Sequence, residues 1–447
     1  MENLYSPATN LQEFIRNFNH NFPIDSQHQR FYVEIYDKPL IKRLKTYIIN
    51  GQYLNQTFFV TGQSGSGKTS ALLRTKRLIE QTGEFIGIHV SVSELDIEDI
   101  NVVDLLIFLG FKLLTYPELN EEIRKKMEKE FFGSLEKIKQ TVEGTREEIS
   151  INDTVIEGDI TIEGKAKAGI KFLNIAELGM KLISKLELDQ EIRQQVREVF
   201  KVKKDELLDL INEIISEINS HFKNKKLVLF IDDIEKIRNE KSVSSLFATD
   251  LKLIKKINCV KVITFPLYAR EYLQATEGEF APLFFSLRIT NPPYKETQEL
   301  DKEAQIAREK LYEIVKKRVA PEFLDKLIDK EAINLAIEKS GGNIKTYIML
   351  LYNAAYEAIE DGKITENHVK EVINFTRHSI SFNLLDGKLI RLLSYVKRHH
   401  FANDQFDTEL IHEAIQSNLI YFYYNDEFWL DINPIIKDTI DRYEKNF

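Results

Sequence analysis

The chain has 447 residues, of which 43% are hydrophobic and 29% charged, with a formal net charge of −9 and one cysteine, Cys259. That length is enough for roughly two to four domains with their own cores, and the acidic balance leaves nucleic-acid binding to a local basic patch or to nothing. One cysteine excludes an internal disulfide, no apolar run approaches about 18 residues, and no basic-then-apolar leader is present; the expected location is the cytoplasm, with no membrane partner.

Residues 1–55 carry Pro23, the pair Phe31-Tyr32, Tyr36 and apolar residues at helical spacing over Leu40 to Ile49, which predicts an adapter packed on the neighbouring domain. Next, Phe58, Phe59, Val60 and Thr61 suit a buried strand and run into Gly62-Gln63-Ser64-Gly65-Ser66-Gly67-Lys68-Thr69-Ser70. This is G-x-x-x-x-G-K-[ST], a phosphate-binding loop. Its three glycines permit dihedrals that a Cβ forbids, so consecutive N–H groups can converge on a phosphate. The helix starting near Lys68 adds its positive end to the same anion site. Lys68 is the candidate partner of the β- and γ-phosphates and Thr69 a candidate Mg²⁺ ligand, which makes ATP and Mg²⁺ the expected cofactors.

Phe85 to Val92 reads as a second buried strand and about Asp99 to Leu114 as a helix; strand and helix in alternation predict a parallel α/β sheet. Between about 117 and 200 the pattern departs from a minimal domain of this kind. Residues 156–172 alternate apolar and charged positions, as in a half-buried antiparallel ribbon. Its apolar face needs cover, from its own domain, from a neighbouring subunit or partner, or, least favoured because the strands are short, from a membrane. An amphipathic helix over Asp205 to Phe222 leads into Leu227-Val-Leu-Phe-Ile-Asp232-Asp233. A buried strand delivering two carboxylates at its C-terminal end suits the second half of a nucleotide site. Asp232 would hold Mg²⁺ through water and Asp233 would orient or deprotonate the attacking water, the two pointing differently because consecutive strand residues face opposite ways.

A helix over roughly Ser245 to Lys256 precedes the strand Val260 to Phe265, whose Thr264 is a candidate contact to the γ-phosphate or water, or else the cap of a turn. Phe285 to Thr290 is expected as the last strand. Glu296 to Thr376 is helical by period, with Ser340-Gly341-Gly342-Asn343 as a helix stop followed by a fresh N-cap. After about 384 come short helices over Leu389 to Val396 and Glu409 to Gln416, a hairpin signal at Asn425-Asp426-Glu427, and a closing helix after Pro434. Helices ending in a hairpin suggest a winged helix. From Leu385 onward, however, 7 Lys and Arg face 11 Asp and Glu, which disfavours direct DNA reading. The scattered histidines show no metal spacing, and no nucleophilic triad emerges.

With these residues in view, the chain resembles the AAA+ and STAND group of P-loop ATPases, in its origin-recognition/Cdc6-like bacterial type with a C-terminal winged helix. The resemblance rests on GQSGSGKT at 62–69, LVLFIDD at 227–233, the strand ending at Thr264, GGNIK at 341–345 and YFYYNDEFWLDINP near the C-terminus. It implies an α/β fold: a P-loop parallel sheet with a β-ribbon insert, a helical lid and a winged helix. The expected domains are an adapter over 1–55, an ATPase core over 56–295 with the insert at about 117–200, a lid over 296–378 and a winged-helix-like domain over 379–447. The resemblance further implies Thr264 as first sensor and Lys345 as second sensor, where a lysine supplies a point charge without the bidentate geometry of the usual arginine. Arg288 falls where oligomeric members carry an arginine finger, with a surface arginine as the alternative. Paired aspartates are closer to the STAND pattern and imply slow hydrolysis. The implied function is an ATP-driven switch controlling a homo-oligomer or a protein partner, in a setting such as bacterial antiviral defence; a DNA-associated initiator or loader ATPase is the alternative.

Overall fold

The structure is a computed structural model that describes residues 5–137, 197–269 and 283–444, apart from 22, 26–27, 37–39, 52–54, 96–99, 136, 199, 223–224, 238, 268, 296, 298, 383–386 and 426. The ribbon expected at 156–172 lies outside the described residues. Two compact units divide the chain. One comprises Met1–Leu44, Thr61–Thr75 and Pro282–Phe447; the other comprises Lys45–Val60 and Lys76–Ala281.

The second unit is built on parallel strands. β1 (Thr57–Gly62) contributes its first four residues to this unit's part of a sheet in which the strands run in the order β2-β3-β4-β1, with β2 at Phe85–Ser91, β3 at Lys226–Asp232 and β4 at Val260–Phe265. β2 pairs in parallel with β3 from Phe85↔Lys226 to Ser91↔Asp232, and β3 pairs in parallel with β4. Leu227 to Ile231 are all buried, as continuous apolar runs in parallel strands must be when both faces are covered. Leu106, Phe108 and Leu109 of the helix Val102–Leu114 share one core with Leu208, Ile211 and Ile215 of the helix Lys204–His221. The helix expected over Ser245 to Lys256 starts earlier, at Glu240, because the Asn239 side chain caps it by accepting from Lys241 N and Ser242 N; a π turn over Ser245–Thr249 then interrupts it before Leu251–Lys255. Lys261 is buried inside β4, its ammonium donating to the carbonyls of Asn55, Lys255, Ile257 and Cys259.

In the first unit, Thr61 and Gly62 pair in parallel with the short strand β5 (Leu283–Phe284). The strand expected over Phe285 to Thr290 is not one. Leu287 N instead donates to Gly342 O at 2.9 Å, so this segment straps onto a helix-ending turn. The longer helices of this unit that precede its C-terminal module, with the short N-terminal one, are α1 (Leu11–Asn17), α2 (Lys302–Arg318), α3 (Lys330–Ser340), α4 (Ile344–Glu357) and α5 (Glu366–Phe382). Leu11, Phe14 and Phe18 share a core with Leu311, Ile314, Tyr347, Leu350 and Leu351, which attaches the N-terminal segment to this helical body. Arg318 is buried there, its guanidinium stacked over the Phe18 and Phe31 rings, and burial pushes its pKa down to about 10.

The same unit ends in a helix–helix–hairpin–helix module: α6 (Gly387–His399), α7 (Thr408–Gln416), β6 (Ile420–Asn425), β7 (Glu427–Ile432) and α8 (Lys437–Glu444). β6 and β7 pair antiparallel from Ile420↔Ile432 to Asn425↔Glu427. Leu389, Leu392, Leu393 and Val396 pack with Ile420, Ile432, Ile436 and Ile440. Among the described residues, no helix is long and apolar enough to cross a membrane.

Candidate nucleotide site

The phosphate loop begins where β1 ends. Gly62 has φ 156°, and a Cβ there would stand 2.1 Å from Phe284 O, so the close pairing of β1 with β5 at this point admits no side chain. Gly65 and Gly67 also have positive φ, the conformations that turn successive N–H groups inward. The Lys68 ammonium donates to Gly62 O and Gln63 O, both at 3.0 Å. Two of its three donors are thus held by the loop itself, which fixes the charge at the loop's concavity. Ser66 Oγ is buried without a hydrogen-bond partner. A buried hydroxyl without a partner inside a ring of glycines and amides fits a phosphate group. Ser70 Oγ accepts from Ile24 N at 3.0 Å, and Thr69, the candidate Mg²⁺ ligand, is half-buried at the first turn of the helix Lys68–Glu80.

Helix α4 closes on this loop through its own cap. Asn343 Oδ1 accepts from Thr346 N, while its Nδ2 donates to Ser64 O at 2.7 Å. Lys345 N donates to Gly65 O at 3.0 Å. A Cβ on Gly65 would come 2.4 Å from Asn343 Oδ1, so the absence of a side chain on the loop also permits this approach. Lys345 therefore meets the loop through its main chain, with its side chain exposed; burial first, and then the Lys345 charge, lower the pKa of His20. Tyr423 OH donates to Gly341 O at 2.6 Å, tying the hairpin to the same turn.

The carboxylates belong to the second unit. Asp232 is fully buried; its Oδ2 lies 3.1 Å from His89 Nε2 and its Oδ1 accepts from Asp233 N at 2.8 Å. Strand alternation does not orient Asp233, contrary to the expectation from sequence. β3 ends at Asp232, and Asp233 sits in the left-handed region at φ 69°, leading into a 3-10 turn over Ile234–Lys236. Its Oδ2 accepts from Ser91 Oγ at 2.5 Å and Ser93 Oγ at 2.8 Å, and the Lys236 ammonium stands 2.7 Å from Oδ1. Burial lowers the pKa of Lys236, but the hydrogen bond and charge of Asp233 outweigh it and the net shift is upward. Thr264 Oγ1 accepts from Ile234 N at 3.3 Å, the geometry of a side chain steadying the turn after the aspartates. Asp232, Asp233 and Glu235 each offer a carboxylate oxygen, all within 4.8 Å of one another, and hard oxygen donors of this kind suit Mg²⁺.

His89, Ser91, Ser93 and Lys236 escaped the reading of the sequence. The signal was there in part, because His89 and Ser91 are polar residues two apart in an otherwise apolar strand and so share a face. Arg288 is buried. Its Nη2 donates to Asp301 at 2.8 Å and to Glu303 at 2.6 Å, and its Nη1 donates to Thr290 O, so both terminal nitrogens have partners within its own chain.

The family described as the KAP family P-loop domain matches residues 37–265. No curated protein matches. Among solved structures, the chain is similar to a Walker-type ATPase of Pyrococcus abyssi, at 13% identity and a TM-score of 0.46 over 95% of this chain and 99% of that one. It is also similar to Cdc6p of Pyrobaculum aerophilum, at 11% identity and a TM-score of 0.39 over 94% and 98%. A third is the Aeropyrum pernix Orc1 protein in complex with DNA, at 12% identity and a TM-score of 0.37 over 90% and 93%.

Proposed function

We propose, from the premise that the chain belongs to the KAP family of P-loop domains, that it is an ATP-binding molecular switch that hydrolyses slowly and controls assembly or the binding of a protein partner. The observation that carries this reading is the pair of bonds from α4 to the phosphate loop, Asn343 Nδ2 to Ser64 O and Lys345 N to Gly65 O. A helical body that grips the loop's main chain would respond to the loop's contents wherever its docked and undocked states bind nucleotide with different affinity, which is the physical requirement for a switch.

In this reading, the loop amides and Lys68 would hold the β- and γ-phosphates, Thr69 and Asp232 would be the candidate ligands of Mg²⁺, and the ion would neutralise charge on the phosphates. Asp233 would orient or deprotonate the attacking water. Its close ion pair with Lys236 and its two serine donors hold the carboxylate in place. Thr264 steadies the turn that carries the carboxylates. The effector is a second copy of the chain or a protein partner, and antiviral defence is the setting that the AAA+/STAND resemblance suggests. The acidic C-terminal module argues against duplex DNA as the effector.

Phosphate release together with mass by light scattering in ATP and in ADP tests this. We expect slow, Mg²⁺-dependent release and a different mass distribution in the two nucleotides. Nucleotide binding without hydrolysis would make the protein a scaffold, and hydrolysis with one unchanged mass would remove assembly from the proposal.

A further inference from the structure

The second position of the phosphate-loop pattern is unconstrained by phosphate chemistry, yet Gln63 there is only 2% exposed. Its Nε2 donates to Ile420 O at 2.8 Å and to Asn418 Oδ1 at 3.2 Å. Its Oε1 accepts from Phe422 N at 2.9 Å and from Ser286 Oγ at 3.1 Å. A primary amide has two donors and two acceptor lone pairs, and all four are used. The network also fixes which end is nitrogen, because one end faces a carbonyl and the other an N–H. Ile420 O and Phe422 N lie on one edge of β6, so the side-chain amide pairs with that edge as the peptide group of a further strand would.

The main chain of the same residue serves the loop. Gln63 N donates to Phe284 O at 3.0 Å, and Gln63 O accepts from the Lys68 ammonium at 3.0 Å. One residue therefore holds the hairpin by its side chain and the phosphate-binding lysine by its carbonyl. The other side of β6 is also engaged, with Tyr423 OH on Gly341 O and Tyr421 OH 3.3 Å from Thr346 Oγ1. The hairpin thus meets the loop and the turn before α4 together.

We propose that Gln63 is a positioning residue through which the C-terminal helix–hairpin module fixes Lys68, so that docking of this module and binding of a nucleoside di- or triphosphate stabilise each other. The proposal rests on the nucleotide reading of the loop given above. The coupling is reciprocal: a module that favours the held lysine favours phosphate, and phosphate favours the docked module. Gln63 itself contacts no phosphate through its side chain, so its effect passes through Lys68.

The test uses the full chain and ADP with Mg²⁺. Calorimetry on the wild type, Gln63→Leu, Lys68→Met and the double variant forms a cycle. Gln63→Leu is expected to weaken ADP about tenfold in the wild-type background and less than about twofold in the Lys68→Met background, the non-additivity of residues acting as one unit. In hydrogen exchange, ADP should slow the amides of residues 418–424 in the wild type and leave them unchanged in Gln63→Leu. This readout decides the matter where the Lys68→Met chain binds too weakly for calorimetry. Ser286→Ala and Asn418→Gly each remove one of the four bonds from outside the loop, and glycine tolerates the φ of 55° at position 418; both should weaken ADP in the same direction even where Gln63→Leu fails to fold. Undiminished affinity in these variants, an equal loss in both lysine backgrounds, or no ADP effect on residues 418–424 in a wild type that binds ADP would overturn the coupling alone. A wild type that binds no nucleotide overturns the functional reading and the coupling with it.

Discussion

The side-chain amide of Asn343 donates to the main-chain oxygen of Ser64 at 2.7 Å, across 279 residues of sequence. The same side chain caps α4, so one residue both starts that helix and fastens it to the phosphate loop. Asn343→Ser separates the two roles, because serine caps as well but is too short to reach Ser64. We expect unchanged helix content by circular dichroism and ATP affinity weakened by about 1 kcal/mol in calorimetry, the worth of one lost hydrogen bond.

Lys68→Ala removes the ammonium held at the concavity of the loop. ATP affinity should fall at least about tenfold, roughly 1.4 kcal/mol. Undiminished binding would end the assignment of the loop.

Asp233→Asn keeps a residue that accepts the left-handed φ and an oxygen that can take the Ser91 and Ser93 bonds, while removing the charge. Single-turnover hydrolysis should slow about a hundredfold, some 2.7 kcal/mol of barrier, with ATP and Mg²⁺ binding preserved. Asp232→Asn should impair Mg²⁺-dependent binding as well. Wild-type turnover in Asp233→Asn would pass the catalytic role to Glu235, the third carboxylate of the cluster.

Arg288 with Asp301 and Glu303 gives a prediction in pH. The Arg288 hydrogen bond holds the Asp301 carboxyl well below the ordinary carboxylate range, whose value for this group is 3.8. A depressed carboxylate contributes stability that is fully present above that value and is lost as pH falls through the lowered one. Arg288→Met should therefore lower Tm at neutral pH, by an amount corresponding to about 2 kcal/mol, and the gap between wild type and variant should shrink steadily below about pH 4. A variant with unchanged Tm but lost turnover, rescued by mixing with Asp233→Asn chains, would instead assign Arg288 to a neighbouring subunit's site.

The helix α7 carries Glu409 and Glu413 and no Lys or Arg. Fluorescence anisotropy of labelled duplex DNA with the full chain should show no salt-sensitive binding at physiological ionic strength. Micromolar or tighter binding that weakens with salt would promote the initiator reading.

The elements legible in the sequence were those whose chemistry is local. Glycine spacing before Lys68, the apolar run ending in Asp232 and Asp233, the Gly341-Gly342-Asn343 stop and cap, and the hairpin between Tyr424 and Phe428 all depend on residues a few positions apart. Phe285 to Thr290 shows the limit. It has the composition of a strand, but Leu287 N is taken by Gly342 O, and a strand needs a partner edge as well as a propensity. Asp233 shows it again, since left-handed backbone and a 3-10 turn overrode an alternation that assumes the strand continues.

Sequence by itself determined the chemical inventory: a phosphate-loop pattern, a buried strand ending in paired aspartates and an acidic C-terminal module. Only the tertiary structure decided what each residue touches. Gln63 is an unconstrained position in the loop pattern, and its hydrogen bonds reach residues 286, 418, 420 and 422. Arg288 has the composition of a finger or a surface charge, and its partners come from the start of α2. Local pattern fixes dihedrals and periodicity over a turn or a strand. Which distant groups satisfy a buried amide or guanidinium depends on chain topology, and burial makes that choice costly to leave open.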